Sequence, residues 1–193
     1  GTLGAGNDSV TALMQLGNIN GGGGTDSLTL DYSGSLADGR TATQINFQSL
    51  YNVNPEYVYL SDGSRVDLHI DAFESYTITG TVGNDTIDGR NASGGNTFFG
   101  LDGNDVFRGG AGVDYFDGGD GDDRFDDVGQ GDSIVGGGGF DTVNFSASSA
   151  TEDLTVNINT GEGAGGSWTG VDFVNGTLGA GNDSVTALMQ LGN

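Results

Sequence analysis

Five aspartates, Asp105, Asp114, Asp123, Asp132 and Asp141, stand nine residues apart, and two residues after each comes an apolar side chain: Phe107, Phe116, Phe125, Ile134 and Val143. The register never slips. Gly103, Gly112, Gly121 and Gly139 hold the position two before the aspartate, and Gly100, Gly109, Gly118 and Gly136 the position five before. Only the fourth unit departs, with Asp127 and Gln130. Weaker units fall in the same frame and pair Asp8 with Val10, Asp26 with Leu28, Asp85 with Ile87 and Asn96 with Phe98. Such a period leaves room for a turn of Gly, Asp and Asn and then a very short strand with one central apolar side chain. Two units close one coil of 18 residues, the separation of Asp8 and Asp26.

So short a strand buries too little surface to stand alone, so the coils must stack at about 4.8 Å, each strand pairing with those above and below. The expected fold is all-β, with nearly flat parallel sheets and a thin core into which Phe98, Phe107, Phe116 and Phe125 point. Stacking also brings like carboxylates close together along each edge of turns, where they repel without a counter-ion. The chain has few cations to offer: its net charge is −22, with 23 Asp against four Glu and five basic residues, all Arg. A preference for the short carboxylate points to a hard cation held among backbone carbonyls. Ca²⁺ accepts six to eight oxygens at about 2.3–2.6 Å in forgiving geometry, whereas Mg²⁺ demands a stricter octahedron. Glycine lets the turns take positive φ and presents carbonyls to an ion with no Cβ in the way.

The unit reads G-G-x-G-x-D-x-U-x, with its best matches at GGAGVDYFD (109–117), GGDGDDRFD (118–126) and GGGGFDTVN (136–144). It resembles the nonapeptide of the repeats-in-toxin (RTX) family, which binds calcium. The resemblance covers about 1–30, 80–144 and 176–186, and FESYTITGTVGNDTI (73–87) and GVDFVNGTLGAGNDSV (170–185) look like the family's strands leading into a first turn. It implies a calcium-binding parallel β-roll, a β-solenoid, with several Ca²⁺ ions each lying between turns one coil apart. One edge then carries Asp85, Asp105, Asp123 and Asp141, and the other Asn96, Asp114 and Asp132. The candidate ligands are these residues with Asp8, Asp26 and Asp183, and turn positions Gly100, Asp102, Gly109, Ala111, Gly118 and Asp120. Asp85 to Asn96 is 11 residues rather than nine, so that coil is expected to be irregular, and an Asn96–Asp114 site should be weaker for want of one charge.

A longer repeat encloses the short one, because residues 1–18 recur unchanged as 176–193, an offset of 175. Residues 1–175 therefore read as one complete tandem repeat: a short nonapeptide block 1–30, a β insert 31–79, the main block 80–144 and a second insert 145–175. The segment 176–193 begins the next copy, and neighbouring identical repeats should meet head to tail. Alternating apolar residues predict strands at 41–47, 57–60, 66–70, 76–78 and 154–158, with turns at Ala37-Asp38-Gly39, Ser61-Asp62-Gly63 and Asn159-Thr160-Gly161. The inserts should be wider, irregular β coils that broaden the roll without ending it.

Other functions fit poorly. With so much negative charge, nucleic acid and anionic membranes are disfavoured partners. No apolar run approaches the roughly 20 residues of a membrane span, and Gly1 to Gly6 shows no targeting signal, so no membrane insertion is expected. An EF-hand at Asp117–Asp127 would need Glu at its twelfth position, where Val128 stands. His69, flanked by Asp67 and Asp71, reads as a solvent-facing strand residue rather than half of a nucleophile pair, and Trp168 as a cap on the thin core. The chain reads as no enzyme but as a structural extender or stalk repeat of an extracellular adhesin or surface-layer-type protein. The resemblance implies a Gram-negative bacterium, type I secretion and an extracellular or cell-surface location. The alternative is a calcium-dependent accessory or polysaccharide-binding module of a secreted enzyme, for which a polysaccharide or cell surface would be the partner.

Overall fold

The computed structural model describes residues 1–13, 17–49, 56–129, 131–146, 155–157, 162–163, 166–177 and 184–186. Among them every regular element is a strand. The first block forms β1 (Ser9–Leu13), β2 (Asn18–Asn20) and β3 (Ser27–Asp31), and the first insert β4 (Ala42–Gln48), β5 (Glu56–Leu60), β6 (Arg65–Asp71) and β7 (Ser75–Thr79). The main block forms β8 (Thr86–Asp88), β9 (Thr97–Asp102), β10 (Val106–Arg108), β11 (Tyr115–Asp120), β12 (Arg124–Val128), β13 (Ser133–Gly138) and β14 (Thr142–Ser146). Then come β15 (Thr155–Asn157), β16 (Glu162–Gly163), β17 (Gly166–Thr169), β18 (Phe173–Thr177) and β19 (Ser184–Thr186).

Through the main block the chain alternates between two sheets. One has ten strands in the order β1-β3-β7-β9-β11-β13-β17-β16-β15-β19, the other nine in the order β18-β14-β12-β10-β8-β4-β5-β6-β2. Neighbours within a block are parallel and in a register set by the coil: Phe98 pairs with Phe116 and Phe116 with Ile134, while Phe107 lies between Ile87 and Phe125. The two extra residues before Asn96 do not break this register. They are taken up in the turn after β8, where Ala92 N–H donates to Gly89 O at 2.8 Å and Gly94 N–H to Glu74 O at 2.7 Å.

The inward rows of the two sheets meet in a single core. Phe98, Phe107, Phe116 and Phe125 are each 0% exposed. Along each sheet their rings stack, Phe98 on Phe116 at 5.5 Å and Phe107 on Phe125 at 5.3 Å between centroids. The row runs on through Ile134 to buried Trp168, which stacks on Phe145. At the other end Leu28, Leu30, Tyr76 and Ile78 continue it.

The sheets are not parallel throughout, which corrects one expectation. β4, β5 and β6 form an antiparallel meander inside the second sheet, and β15, β16 and β17 an antiparallel run in the first. For β5 and β6 the physical cause is turn length. At 60–64, Gly63 N–H donates to Leu60 O at 2.8 Å and Leu60 N–H to Ser64 O at 2.9 Å, a tight hairpin that can only reverse the chain. The turn at Ala37-Asp38-Gly39 also forms, with Gly39 N–H on Leu36 O, and the Asn159-Thr160-Gly161 turn lies outside the described residues.

Candidate metal centre

Each aspartate of the main block ends a glycine-rich turn and enters a strand whose inward residue lies two positions on. The chain is thereby held with the carboxylate buried at the sheet edge. Oδ1 of each then reaches the previous coil: it accepts the backbone N–H of Asp85 for Asp105, of Asp105 for Asp123, and of Asp123 for Asp141, at 2.8–2.9 Å. On the other edge, Asp114 accepts from Asn96 at 2.7 Å and Asp132 from Asp114 at 2.9 Å. Asp8 N–H likewise donates to Asp26 Oδ1 at 2.8 Å. These bonds pair the two edges as the spacing of 18 predicts, with 20 across the irregular coil.

The second oxygens are what single out one edge. Oδ2 of Asp105, Asp123 and Asp141 along that edge is buried with no hydrogen-bond partner, and so is Oδ2 of Asp26, which enters β3 on the other edge. Within the main block that other edge closes its turns on their own carboxylates: Asp114 Oδ2 accepts Gly110 N–H at 3.1 Å and Asp132 Oδ2 accepts Gly129 N–H at 2.6 Å. Asp85 is satisfied in the same way by Thr81, whose N–H donates to Oδ2 at 2.6 Å. Leaving a buried carboxylate oxygen unpaired costs about 1–3 kcal/mol or more, so an external partner is called for. The arginines do not supply it: Arg40, Arg65, Arg90, Arg108 and Arg124 pair with Asp38, Asp62, Asp67, Asp88, Asp126 and Asp127.

The space in front of these oxygens is kept open by glycine. A Cβ on Gly100 would stand less than 3.0 Å from both Asp105 Oδ2 and Gly118 O, and a Cβ on Gly118 equally close to Asp123 Oδ2 and Gly136 O. An unpaired carboxylate oxygen and a carbonyl from the next coil therefore converge over the first glycine of the turn. That donor set is all oxygen and suits Ca²⁺. Among the described residues no three Asp, Glu, His or Cys side chains meet at one point, so a cation here completes its shell with carbonyls. Burial pushes the Asp105 carboxyl up to about 8, with the charges of Asp85 and Asp123 adding to it, and pushes Asp85 and Asp123 up to about 6. Asp114, Asp132 and Asp141 are raised by burial as well.

Other candidates are placed less centrally. Gly109 is buried beside Asp114 Oδ2, whereas Ala111 is exposed. Asp102 and Asp120 are exposed, register partners one coil apart at the outer lip of the turns. Asn96 spends its amide on the protein, donating to Asp114 Oδ1 at 3.0 Å and accepting from Tyr76 N–H at 3.1 Å. Asp8 is half-buried with Oδ2 on Gly4 N–H, and Asp183 lies outside the described residues. His69 is a surface strand residue with Nε2 2.9 Å from Asp71 Oδ2. Two ladder members escaped the sequence reading. Glu74 accepts the N–H of Asp26 and Asp172 that of Asp141, and no nine-residue frame reaches either.

These features define a stacked-coil β protein whose turns carry buried, unpaired carboxylate oxygens. The family model described as RTX calcium-binding nonapeptide repeat (4 copies) matches residues 77–92 and 91–125. That stretch of the chain is therefore made of RTX calcium-binding repeats. A comparison with curated proteins finds no match.

Proposed function

We propose that the chain is one repeat of a calcium-stiffened parallel β-roll that extends and spaces an adhesin or surface-layer-type protein outside a Gram-negative cell, exported by type I secretion, with no catalysis of its own. The observation that carries this reading is the fate of the duplicated segment. Its strand opens the ten-stranded sheet as β1 and closes it as β19, where Thr155 pairs with Ser184 and Val156 with Val185. A sheet that begins and ends on the same sequence can pass from one copy to the next without a seam. Ten strands at about 4.8 Å reach roughly 45 Å, a useful increment for a stalk. A calcium requirement also suits export, since a chain unfolded at low calcium threads out and folds where calcium is abundant.

The test is a chain of two consecutive copies in small-angle X-ray scattering. In millimolar calcium its longest dimension should be close to twice that of one copy, with a rod-like distance distribution. Two copies that fold back side by side, or tumble independently about a flexible joint, would exclude a stalk.

A further inference from the structure

The geometry points to two calcium sites completed from outside the nonapeptide units: Asp26 with the Ala72 carbonyl and Glu74, and Asp141 with the Gly170 carbonyl and Asp172. This rests on the calcium reading above and extends it to the inserts, which no repeat pattern covers.

The two places match each other and the central turns atom for atom. A Cβ on Gly21 would stand less than 3.0 Å from Asp26 Oδ2 and Ala72 O, and one on Gly136 less than 3.0 Å from Asp141 Oδ2 and Gly170 O. The same pairing of oxygens occurs over Gly100 and Gly118, but there the carbonyl comes from the nonapeptide one coil on. Asp26 is 1% and Asp141 0% exposed, and both Oδ2 atoms lack any partner. Each points into the space that the insert's carbonyl enters.

The inserts reach these places by one local device. Ala72 has φ of 57° and Gly170 of 62°, a left-handed residue that turns its carbonyl toward the coil. Two residues later an acid accepts from the roll: Asp26 N–H donates to Glu74 Oε2 at 2.6 Å and Asp141 N–H to Asp172 Oδ2 at 2.9 Å. Asp26 O in turn receives the N–H groups of Glu74 and Ser75, and Asp141 O those of Asp172 and Phe173. Ala72 takes this left-handed conformation although it is not glycine, one that a side-chain-bearing residue adopts against its preference. An ion at each place would tie the returning strands β7 and β18 to the stack.

The experiment is a calorimetric calcium titration of the full chain, with circular dichroism recorded on the same samples, for Glu74→Gln, Asp172→Asn and Gly21→Ala, and with Asp123→Asn as a control in the main block. Glu74→Gln, Asp172→Asn and Gly21→Ala should each bind one ion fewer than the unaltered chain yet keep its strand signal at saturating calcium. If Glu74→Gln fails to fold, exposed Asp172 still decides, because a loss of one ion in Asp172→Asn supports the proposal. An unchanged ion count in the variants that fold, with Asp123→Asn losing binding, overturns the insert sites and leaves the calcium roll standing. No calcium uptake by the unaltered chain overturns both.

Discussion

Asp105 and Asp123 are joined one coil apart by a 2.8 Å hydrogen bond from the backbone N–H of the first to Oδ1 of the second, while Oδ2 of each faces a glycine-lined space with no partner. One carboxylate thus does two things. It splices adjacent coils through the backbone, and it offers a charge that the protein itself does not neutralise.

Removing that carboxylate should hurt in proportion to its burial. Asp123→Ala deprives Asp105 N–H of its acceptor in a buried setting, a cost of about 1–3 kcal/mol, and takes away an ion ligand. Asp8 is half-buried at the first coil, and Asp8→Ala should cost below about 1 kcal/mol. Melting in calcium should therefore fall clearly for the first variant and little for the second. Equal falls would mean that the ladder is not what holds the coils.

Acid should partly replace calcium. In the calcium-free chain, burial raises Asp105 to about 8 and Asp85 and Asp123 to about 6, above the value near 4 expected when unfolded. The folded state then binds more protons than the unfolded one, so stability is greatest in acid and is lost as pH rises through about 4 to 8. Circular dichroism of the calcium-free chain should show more strand at pH 5 than at pH 8. A strand signal that rises with pH has the wrong sign for this account.

Phe116 fills the centre of the stack and is 0% exposed, whereas Phe140 is 57% exposed in a turn. Phe116→Ala should destabilise by about 3–5 kcal/mol and Phe140→Ala by less than about 1 kcal/mol. Denaturant unfolding in saturating calcium measures both, and a larger effect at Phe140 would displace the core.

In the turns leading to Asp105, Asp123 and Asp141 the second position is left-handed: Leu101 has φ of 84°, Gly119 of 99° and Gly137 of 109°. Leucine is strained there by about 1–2 kcal/mol. Leu101→Gly should raise stability by about 1 kcal/mol, and Gly119→Ala should lower it by more, because its Cβ would meet Leu101 O. Denaturant midpoints in calcium report the signs, and a destabilising Leu101→Gly would show that the leucine side chain packs for more than its strain.

The nine-residue register made the edges legible because side-chain period and coil length are locked together: Asp105, Asp123 and Asp141 fall in line, and Phe98 stacks on Phe116. It could not reveal which acid meets Asp26 or Asp141. Their partners lie 48 and 31 residues on, across inserts of unequal length whose return point depends on how the intervening strands pair. Alternation announced β4, β5 and β6 as strands but is silent about parallel or antiparallel neighbours, which for β5 and β6 the hairpin at 60–64 decides. Nor does the pattern distinguish the edges. Asp114 carries the same motif as Asp123, yet Gly110 turns its N–H group inward and occupies the oxygen that Asp123 leaves open.

The central claim is that an oxygen-liganded divalent cation completes the fold, and far-UV circular dichroism during a calcium titration after chelation tests it most directly. The account predicts a chain with little strand signal at neutral pH in chelator, a cooperative gain of strand on reaching millimolar Ca²⁺, and no such gain with Mg²⁺ at the same concentration. A chain equally folded in chelator, or one that folds as readily with Mg²⁺, would contradict it.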